Sequence, residues 1–219
     1  MSNEQYIEGV GAEPLRSLEY VVVDVETTGG VAKRGDRVTE FAAICVRGTG
    51  EVVEEYTTLV NPERPIPPFI TRLTRITDDM VRGAPRFEEI AGEVQRMLRG
   101  RIFVAHNVAF DWGFVGHELE RATGVGLEGR RLCTVKLARR VVPEVSSRSL
   151  GSLSEYFGID NDARHRAYGD ARATVEVFRR LLDRLEEREV SDWLELQALL
   201  ESRRARRKRS SLPRSIDCI

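Results

Sequence analysis

The stretch Val21-Val22-Val23-Asp24-Val25-Glu26-Thr27-Thr28-Gly29 decides the fold prediction for this chain. Valines at this density indicate a buried β-strand, and the side chains of a strand alternate between its two faces. Asp24 and Glu26 therefore lie on one face, where their negative charges repel each other. This arrangement is costly unless a cation lies between the carboxylates, and hard divalent ions are bound by carboxylate oxygens. The stretch predicts part of a metal site whose other ligands lie elsewhere in the chain.

The composition excludes several classes of protein. With 219 residues, of which 41% are hydrophobic, the chain is long enough for one well-buried domain and an appendage. No apolar run reaches the length of a membrane span, and the acidic N-terminus lacks the apolar core of a signal peptide. Cys45, Cys133 and Cys218 are widely spaced, which favours reduced thiols over a disulfide framework or a zinc site. We therefore expect a cytoplasmic protein that has no membrane partner.

The charge of the chain is unevenly distributed. Residues 201–219 contain seven Lys or Arg and two Asp or Glu, a net charge of +5, which leaves −6 for residues 1–200. The basic run from Arg203 to Arg209 could bind a nucleic-acid backbone, dock on an acidic partner, or be a solvated tail without a specific contact.

The apolar periodicity predicts an α/β protein. Strands are expected over residues 19–26, 37–47, 51–60, 102–105 and 131–133. Helices are expected over residues 69–75, 86–99, 150–157, 167–188 and 190–202. One further helix is expected to begin near residue 108, and another to end near residue 141. The short Gly48-Thr49-Gly50 turn predicts an antiparallel hairpin, and the overall order predicts a mixed central sheet flanked by helices. We divide the chain into a lead-in (1–18), a main domain (19–188) and a C-terminal helix with the basic tail (189–219).

Two further carboxylates occupy the first turns of predicted helices. Asp111 follows the 102–105 strand, and Asp170 lies at the start of the 167–188 helix. An Asp at this position is commonly a helix cap or a partner of the helix dipole. If both instead converge on Asp24 and Glu26, four carboxylates would balance two divalent cations about 3.5–4 Å apart, which suits in-line displacement at phosphorus.

A histidine is well suited to take a proton from water at neutral pH. His106 precedes Asp111 by five positions, and His165 precedes Asp170 by the same number. Spacing does not choose between these two histidines. We interpret His117, farther along the helix after Asp111, as a surface residue.

Three motifs together resemble those of a known family. They are Asp24-Val-Glu26-Thr27-Thr28-Gly29, His106-Asn-Val-Ala-Phe110-Asp111 and His165-Arg-Ala-Tyr-Gly-Asp170-Ala171. In order and spacing the chain resembles the DEDDh, or DnaQ-like, 3′–5′ exonucleases from about Tyr20 to Leu185, and most of all the epsilon-type proofreading subunits of bacterial DNA polymerase III. The resemblance implies an RNase H-like fold with a mixed five-stranded central sheet flanked by helices.

The resemblance also implies roles for individual residues. It assigns Asp24, Glu26, Asp111 and Asp170 to two Mg²⁺ or Mn²⁺ ions and His165 to the general base, with His106 shaping the strand end. It implies substrate contacts for Thr27, Thr28, Leu73 and Phe110, although Leu73 and Phe110 could equally be core residues. The segment Leu73-Thr74-Arg75-Ile76-Thr77 departs from the family's His-Gly-Ile form, which leaves strand preference open. Glu40 matches a family position, and we interpret it as structural.

The expected function is a metal-dependent 3′–5′ exonuclease that releases nucleoside 5′-monophosphates from a single-stranded or frayed 3′ end, in proofreading or repair. The implied partners are the nucleic acid itself, DNA ahead of RNA, and a polymerase or another replication or repair protein. The alternatives are an exoribonuclease of the same superfamily and a non-catalytic, polymerase-associated binding module. The chain could also be the exonuclease part of a longer polypeptide.

Overall fold

A five-stranded sheet forms the centre of the computed structural model, which describes residues 12–160 and 165–202. The strands are β1 (Glu19–Thr27), β2 (Val38–Arg47), β3 (Val52–Leu59), β4 (Ile102–Ala105) and β5 (Arg131–Cys133). They lie in the order β3-β2-β1-β4-β5. The first three strands pair antiparallel, whereas β4 is parallel to both β1 and β5. The predicted mixed sheet and the hairpin between β2 and β3 are confirmed.

Eight α-helices of the described residues flank the sheet. They are α1 (Pro68–Thr74), α2 (Asp78–Val81), α3 (Phe87–Leu98), α4 (Ala109–Thr123), α5 (Thr134–Val141), α6 (Leu150–Phe157), α7 (Ala167–Glu186) and α8 (Trp193–Glu201). Most bounds agree with the predicted ones to within two residues. The sequence did not predict α2, nor the 3-10 helices Leu15–Ser17 and Ala32–Arg34, because turns this short carry no periodic pattern.

Strand β1 separates two apolar clusters. Tyr20 and Val22 belong to the cluster that includes residues of α5, α7 and α8, while Val21, Val23 and Val25 belong to the cluster that includes residues of α3 and α4. This alternation follows from the period of two along a strand. The even-numbered face of β1, which carries Asp24 and Glu26, is therefore the face covered by α7.

The described part of the lead-in packs against the rest of the protein. Leu15 is buried, its N–H donates to the carbonyl of Ser191, and Pro14 forms a β-bridge with Asp192. The segment before β1 thus packs beside the start of α8. The three-part division of the chain remains a prediction.

The basic run Arg203–Arg209 and Cys218 lie outside the described residues. Cys45 and Cys133 are free and buried thiols. Within residues 12–160 and 165–202, no helix combines the length and the apolar character that a bilayer crossing requires.

Candidate metal centre

Three carboxylates meet at the C-terminal end of β1. Asp24 and Glu26 project from the α7 face of the strand, and Asp170 lies in the first turn of α7. One carboxylate oxygen from each of the three lies within 4.8 Å of the others, and all three residues are partly exposed. The predicted convergence of Asp170 on the strand pair is therefore present in the fold.

Asp111, which lies in the first turn of α4, contacts the backbone of the same strand. Strand β4 pairs with β1 only up to Val22, whereas β1 continues to Thr27. Beyond this point the N–H of Val25 donates to Oδ1 of Asp111 at 3.2 Å. Asp111 is buried in the first turn of α4 and interacts electrostatically with Asp24 and Glu26. It is not among the three carboxylates that lie within 4.8 Å of one another.

The electrostatics of the centre favour a cation. Burial, followed by the charges of Asp111, Asp170 and Glu26, raises the pKa of Asp24 well above its ordinary value. Burial and the neighbouring carboxylates Asp170 and Glu40 raise the pKa of Glu26 to about 7, and burial raises the pKa of Asp111 to about 8. Two like charges 4 Å apart repel each other by about 4 kcal/mol at an effective dielectric constant of about 20.

The residues present fit a divalent metal. Within the described part of the chain, no hydrogen bond or ion pair reaches the carboxylates of Asp24 and Glu26, and the groups near them are mainly other carboxylates. Clustered carboxylate oxygens are the donor set of Mg²⁺ and Mn²⁺. The alternative that Asp170 serves as an ordinary cap of α7 does not account for its position beside Asp24 and Glu26.

The two candidate histidines occupy different environments. His106 is partly buried at the end of β4, where its Nδ1 hydrogen-bonds the hydroxyl of Thr134 at 2.9 Å and the ring also bonds the backbone of Arg148. Burial lowers the pKa of His106. His165 is exposed, and its backbone N–H donates to Oδ2 of Asp170 at 3.0 Å. The expected surface residue His117 is partly buried on α4.

Thr27 and Thr28 lie beside the carboxylates but are engaged with the protein itself. A β-bulge separates Glu26 from Thr27, whose hydroxyl donates to the carbonyl of Gly29 at 2.6 Å. The N–H of Thr28 donates to the carbonyl of Arg37 at 2.8 Å, and the Thr28 hydroxyl accepts the Arg37 N–H. A substrate contact through the N–H of Thr28 would have to share or replace this bond.

Leu73 and Phe110, the two apolar candidates for substrate contact, differ in exposure. Leu73 on α1 is 50% exposed, so the interpretation as a core residue is wrong for it. Phe110 is partly buried and packs on Phe114, with ring centroids 4.8 Å apart. Arg75 caps α1 with a φ of 61°, a left-handed conformation that favours glycine and that explains why glycine is usual at this position in the family.

An ion pair that the sequence did not predict lies beside the centre. Glu40 is buried on β2. Arg166, the residue that follows His165, forms an ion pair with it. The available signals were a carboxylate inside the otherwise apolar strand β2 and an arginine within the third motif. Neither signal identifies the partner, because the two residues are 126 positions apart in the chain.

Comparison with known proteins gives a consistent result. A family model described as an exonuclease, RNase_T, matches residues 21–178, a range that includes all four carboxylates and both candidate histidines. The 3′-5′ exonuclease DinG of Bacillus subtilis (strain 168) is 40% identical over 171 residues, which cover 78% of this chain and 18% of that protein. A PolC-type DNA polymerase III of Caldanaerobacter subterraneus is 34% identical over 185 residues, covering 84% of this chain and 13% of that protein. The chain thus spans a small part of the length of both relatives.

A solved structure matches over nearly its whole length. Exonuclease X, in complex with 5′ overhanging duplex DNA, aligns with a TM-score of 0.64 and 25% sequence identity, covering 83% of this chain and 99% of the other.

Proposed function

This chain belongs to the RNase_T exonuclease family, and from that premise we propose that it is a metal-dependent 3′–5′ exonuclease acting on DNA. It hydrolyses the phosphodiester bond at a single-stranded or frayed 3′ end and releases nucleoside 5′-monophosphates. The observation that carries the proposal is the cluster of Asp24, Glu26 and Asp170, whose oxygens lie within 4.8 Å of one another.

Asp24, Glu26, Asp111 and Asp170 hold the divalent ions in this proposal. When bound by these residues, Mg²⁺ or Mn²⁺ ions would activate a water and stabilise the negative charge that develops during phosphodiester hydrolysis. The four carboxylates determine where the ions would bind. Because Asp111 is fastened to the backbone of Val25, the site is held to β1 as well as to the helices that carry Asp111 and Asp170.

His165 takes the proton from the attacking water in this proposal. Its N–H bond to Asp170 keeps the residue adjacent to the carboxylate cluster, and its side chain is exposed to solvent. His106 is instead engaged with Thr134 and Arg148, which favours a structural role. The terminal nucleotide contacts Leu73, whose exposure leaves an apolar surface available, together with Phe110, Thr27 and Thr28.

The preference for DNA and a replication or repair role rest on the relatives. PolC is a DNA polymerase, and the Exonuclease X structure contains duplex DNA. We propose DNA as the substrate and a polymerase or another replication or repair protein as a binding partner.

The test uses single- and double-stranded DNA and RNA of matched sequence, labelled at either end. With Mg²⁺ or Mn²⁺, 5′-labelled DNA should shorten progressively, while 3′-labelled DNA should release a labelled mononucleotide from the first time point. EDTA should abolish both signals and added metal should restore them. Faster degradation of RNA than DNA would contradict the proposed substrate, and shortening from the 5′ end would contradict the polarity.

Two Asp variants of α7 provide a matched comparison. Asp170→Asn should lose nearly all activity, as should Asp24→Ala, since each removes a metal ligand. Asp183→Asn lies on the same helix and loses only a surface ion pair with Arg16, so it should keep wild-type activity. Wild-type turnover in Asp24→Ala would show that the metal assignment is wrong.

A further inference from the structure

A buried carboxylate that no metal role accounts for lies beside the metal centre. Glu40 on β2 is only 4% exposed and stands directly opposite Glu26 in the register of β1 and β2. Like charges at directly opposed positions of an antiparallel pair repel each other, and a buried charge requires compensation. Glu40 therefore needs a strong partner on the face of the sheet that α7 covers.

Arg166 and Ala167 supply that partner. The Arg166 guanidinium forms a two-pronged contact, with Nε 3.0 Å from Oε2 and Nη2 2.6 Å from Oε1 of Glu40. The backbone N–H of Ala167 donates to Oε2 of the same carboxylate at 2.9 Å. A planar guanidinium that bonds a carboxylate through two of its nitrogens fixes the orientation of the two groups as well as their distance. A single point charge fixes only the distance. Glu40 thus ties the start of α7 to the centre of the sheet.

His165 lies immediately before this anchor and in an unusual backbone conformation. Its φ of 62° is in the left-handed region, where residues with a side chain are uncommon. Its own N–H donates to Asp170, and the next two residues are bonded to Glu40. Such conformations persist when the surrounding structure holds them. The contacts of Arg166 and Ala167 with Glu40 follow His165 directly in the chain and are positioned to hold it in this conformation.

We propose that Glu40 and Arg166 are positioning residues that hold His165 in the geometry required for proton transfer. The inference rests on the proposed function, in which His165 is the general base. Because a misplacement of about 1 Å can reduce the rate of an enzymatic step by about 10²-fold, an anchor of this kind acts on turnover. We expect a smaller effect on substrate affinity, because Nε and Nη2 of Arg166 are both directed at Glu40.

The first test is the conservative variant Arg166→Lys, which keeps the positive charge but cannot form the two-pronged contact. We expect kcat to fall about 10- to 100-fold, with KM and the metal concentration for half-activity changed less than about 3-fold. Glu40→Gln keeps an oxygen for the Ala167 N–H and loses the charge that holds the guanidinium, so its kcat should fall by a similar factor. The metal requirement is compared only for Arg166→Lys, because the Glu40 charge also acts on Glu26. Arg172→Lys, which affects a surface pair between α7 and Glu55, is the matched control and should leave kcat unchanged. Wild-type kcat in Arg166→Lys, or an effect confined to KM, would overturn the inference.

A double-mutant cycle separates positioning from general destabilisation. If Arg166 acts through His165, then Arg166→Lys should reduce kcat by less than about 2-fold when introduced into His165→Ala, measured by single turnover with excess enzyme. An undiminished effect in that background would overturn the positioning role while leaving His165 as the base. Wild-type activity of His165→Ala alone would instead contradict the proposed function, so the two failures are distinguishable.

The three histidines of the chain provide a spectroscopic signature. Their imidazole C2 proton resonances can be assigned with alanine variants of His106, His117 and His165. Arg166→Lys should shift or broaden the His165 resonance and leave the other two unchanged. Loss of kcat with an unaltered His165 resonance would overturn the inference, and this measurement remains available if Glu40→Gln does not fold.

Discussion

The N–H of Val25 donates to Oδ1 of Asp111 at 3.2 Å and so joins the first turn of α4 to β1 at the point where β4 no longer pairs with that strand. The bond gives Asp111 two functions. In the proposed function its carboxylate supplies negative charge to the metal centre, and one of its oxygens takes the place of a missing strand partner. The two functions can be separated, because an amide retains the oxygen but not the charge.

We expect Asp111→Asn and Asp111→Ala to differ in stability but not in activity. Both should lose nearly all nuclease activity. In EDTA, Asp111→Asn should be at least as stable as wild type, because it removes a buried charge and keeps the acceptor. Asp111→Ala should be destabilised by about 1–3 kcal/mol, since it leaves the buried Val25 N–H without a partner. Urea unfolding at about pH 8 measures both, and equal stabilities of the two variants would contradict the role of the Val25 bond.

The metal-free protein should lose stability as the pH rises. Burial raises the folded-state pKa of Glu26 to about 7 and that of Asp111 to about 8, while ordinary values are near 4. The folded state therefore binds protons more tightly than the unfolded state. The loss of folding free energy caused by ionising these carboxyl groups is absent below about pH 4 and complete above about pH 8. We expect a lower Tm in EDTA at about pH 8.5 than at about pH 6.5.

Metal should reverse this trend, because it binds the ionised carboxylates. The increase in Tm caused by Mn²⁺ should be larger at the higher pH. The control is Asp24→Asn, which removes one of the repelling charges and should show a weaker dependence of both quantities on pH. An equal pH dependence in wild type and Asp24→Asn would rule out the cluster as its source.

Replacing the two candidate histidines should separate catalysis from structure. His165→Ala should reduce kcat by about 10²- to 10⁴-fold, the usual effect of losing a general base. His106→Ala should have a smaller effect on kcat and should lower Tm, because the buried Thr134 hydroxyl loses its partner. His117→Ala serves as a reference for both. A larger loss of kcat in His106→Ala than in His165→Ala would reverse the assignment of the base.

A buried ion pair between Arg37, just before β2, and Glu118 on α4 provides a test of stability. Arg37 contacts Glu118 through Nε at 2.8 Å, and Glu118 is 1% exposed and also accepts the Val38 N–H. Arg37→Met should destabilise the fold by about 3 kcal/mol, because it removes the hydrogen-bonded guanidinium partner of the buried Glu118 charge and leaves the longer contact with Arg121 at 3.9 Å. Adding Glu118→Gln should recover part of this loss, since glutamine removes the charge and keeps an oxygen for Val38.

The exposed pair Arg47–Glu51 is the matched reference for that experiment, and Arg47→Met should cost no more than about 1 kcal/mol. Urea unfolding of the wild type and the three variants gives the comparison. If Glu118→Gln made Arg37→Met less stable still, charge compensation would not be the reason for the pair.

Much of the fold could be predicted because its signals are local. The alternation along β1 placed Asp24 and Glu26 on one face, and the apolar stripe of α7 predicted its length within two residues. Both features depend on the repeat of a single element, which the sequence displays directly. The four-residue helix α2 and the packing of the lead-in beside α8 have no such repeat, and they were not predicted.

By itself, the sequence determined the strands, the longer helices and the pairing of Asp24 with Glu26, because each depends on neighbours along the chain. The resemblance of its motifs to those of a known family predicted that Asp111 and Asp170 belong to the same site. Only the tertiary structure decided that Asp170 lies beside the strand pair, that Asp111 is fastened to Val25, and that Glu40 holds Arg166 next to His165. Those contacts join residues 86 or more positions apart, and a distance across folded elements is fixed by packing rather than by spacing in the sequence.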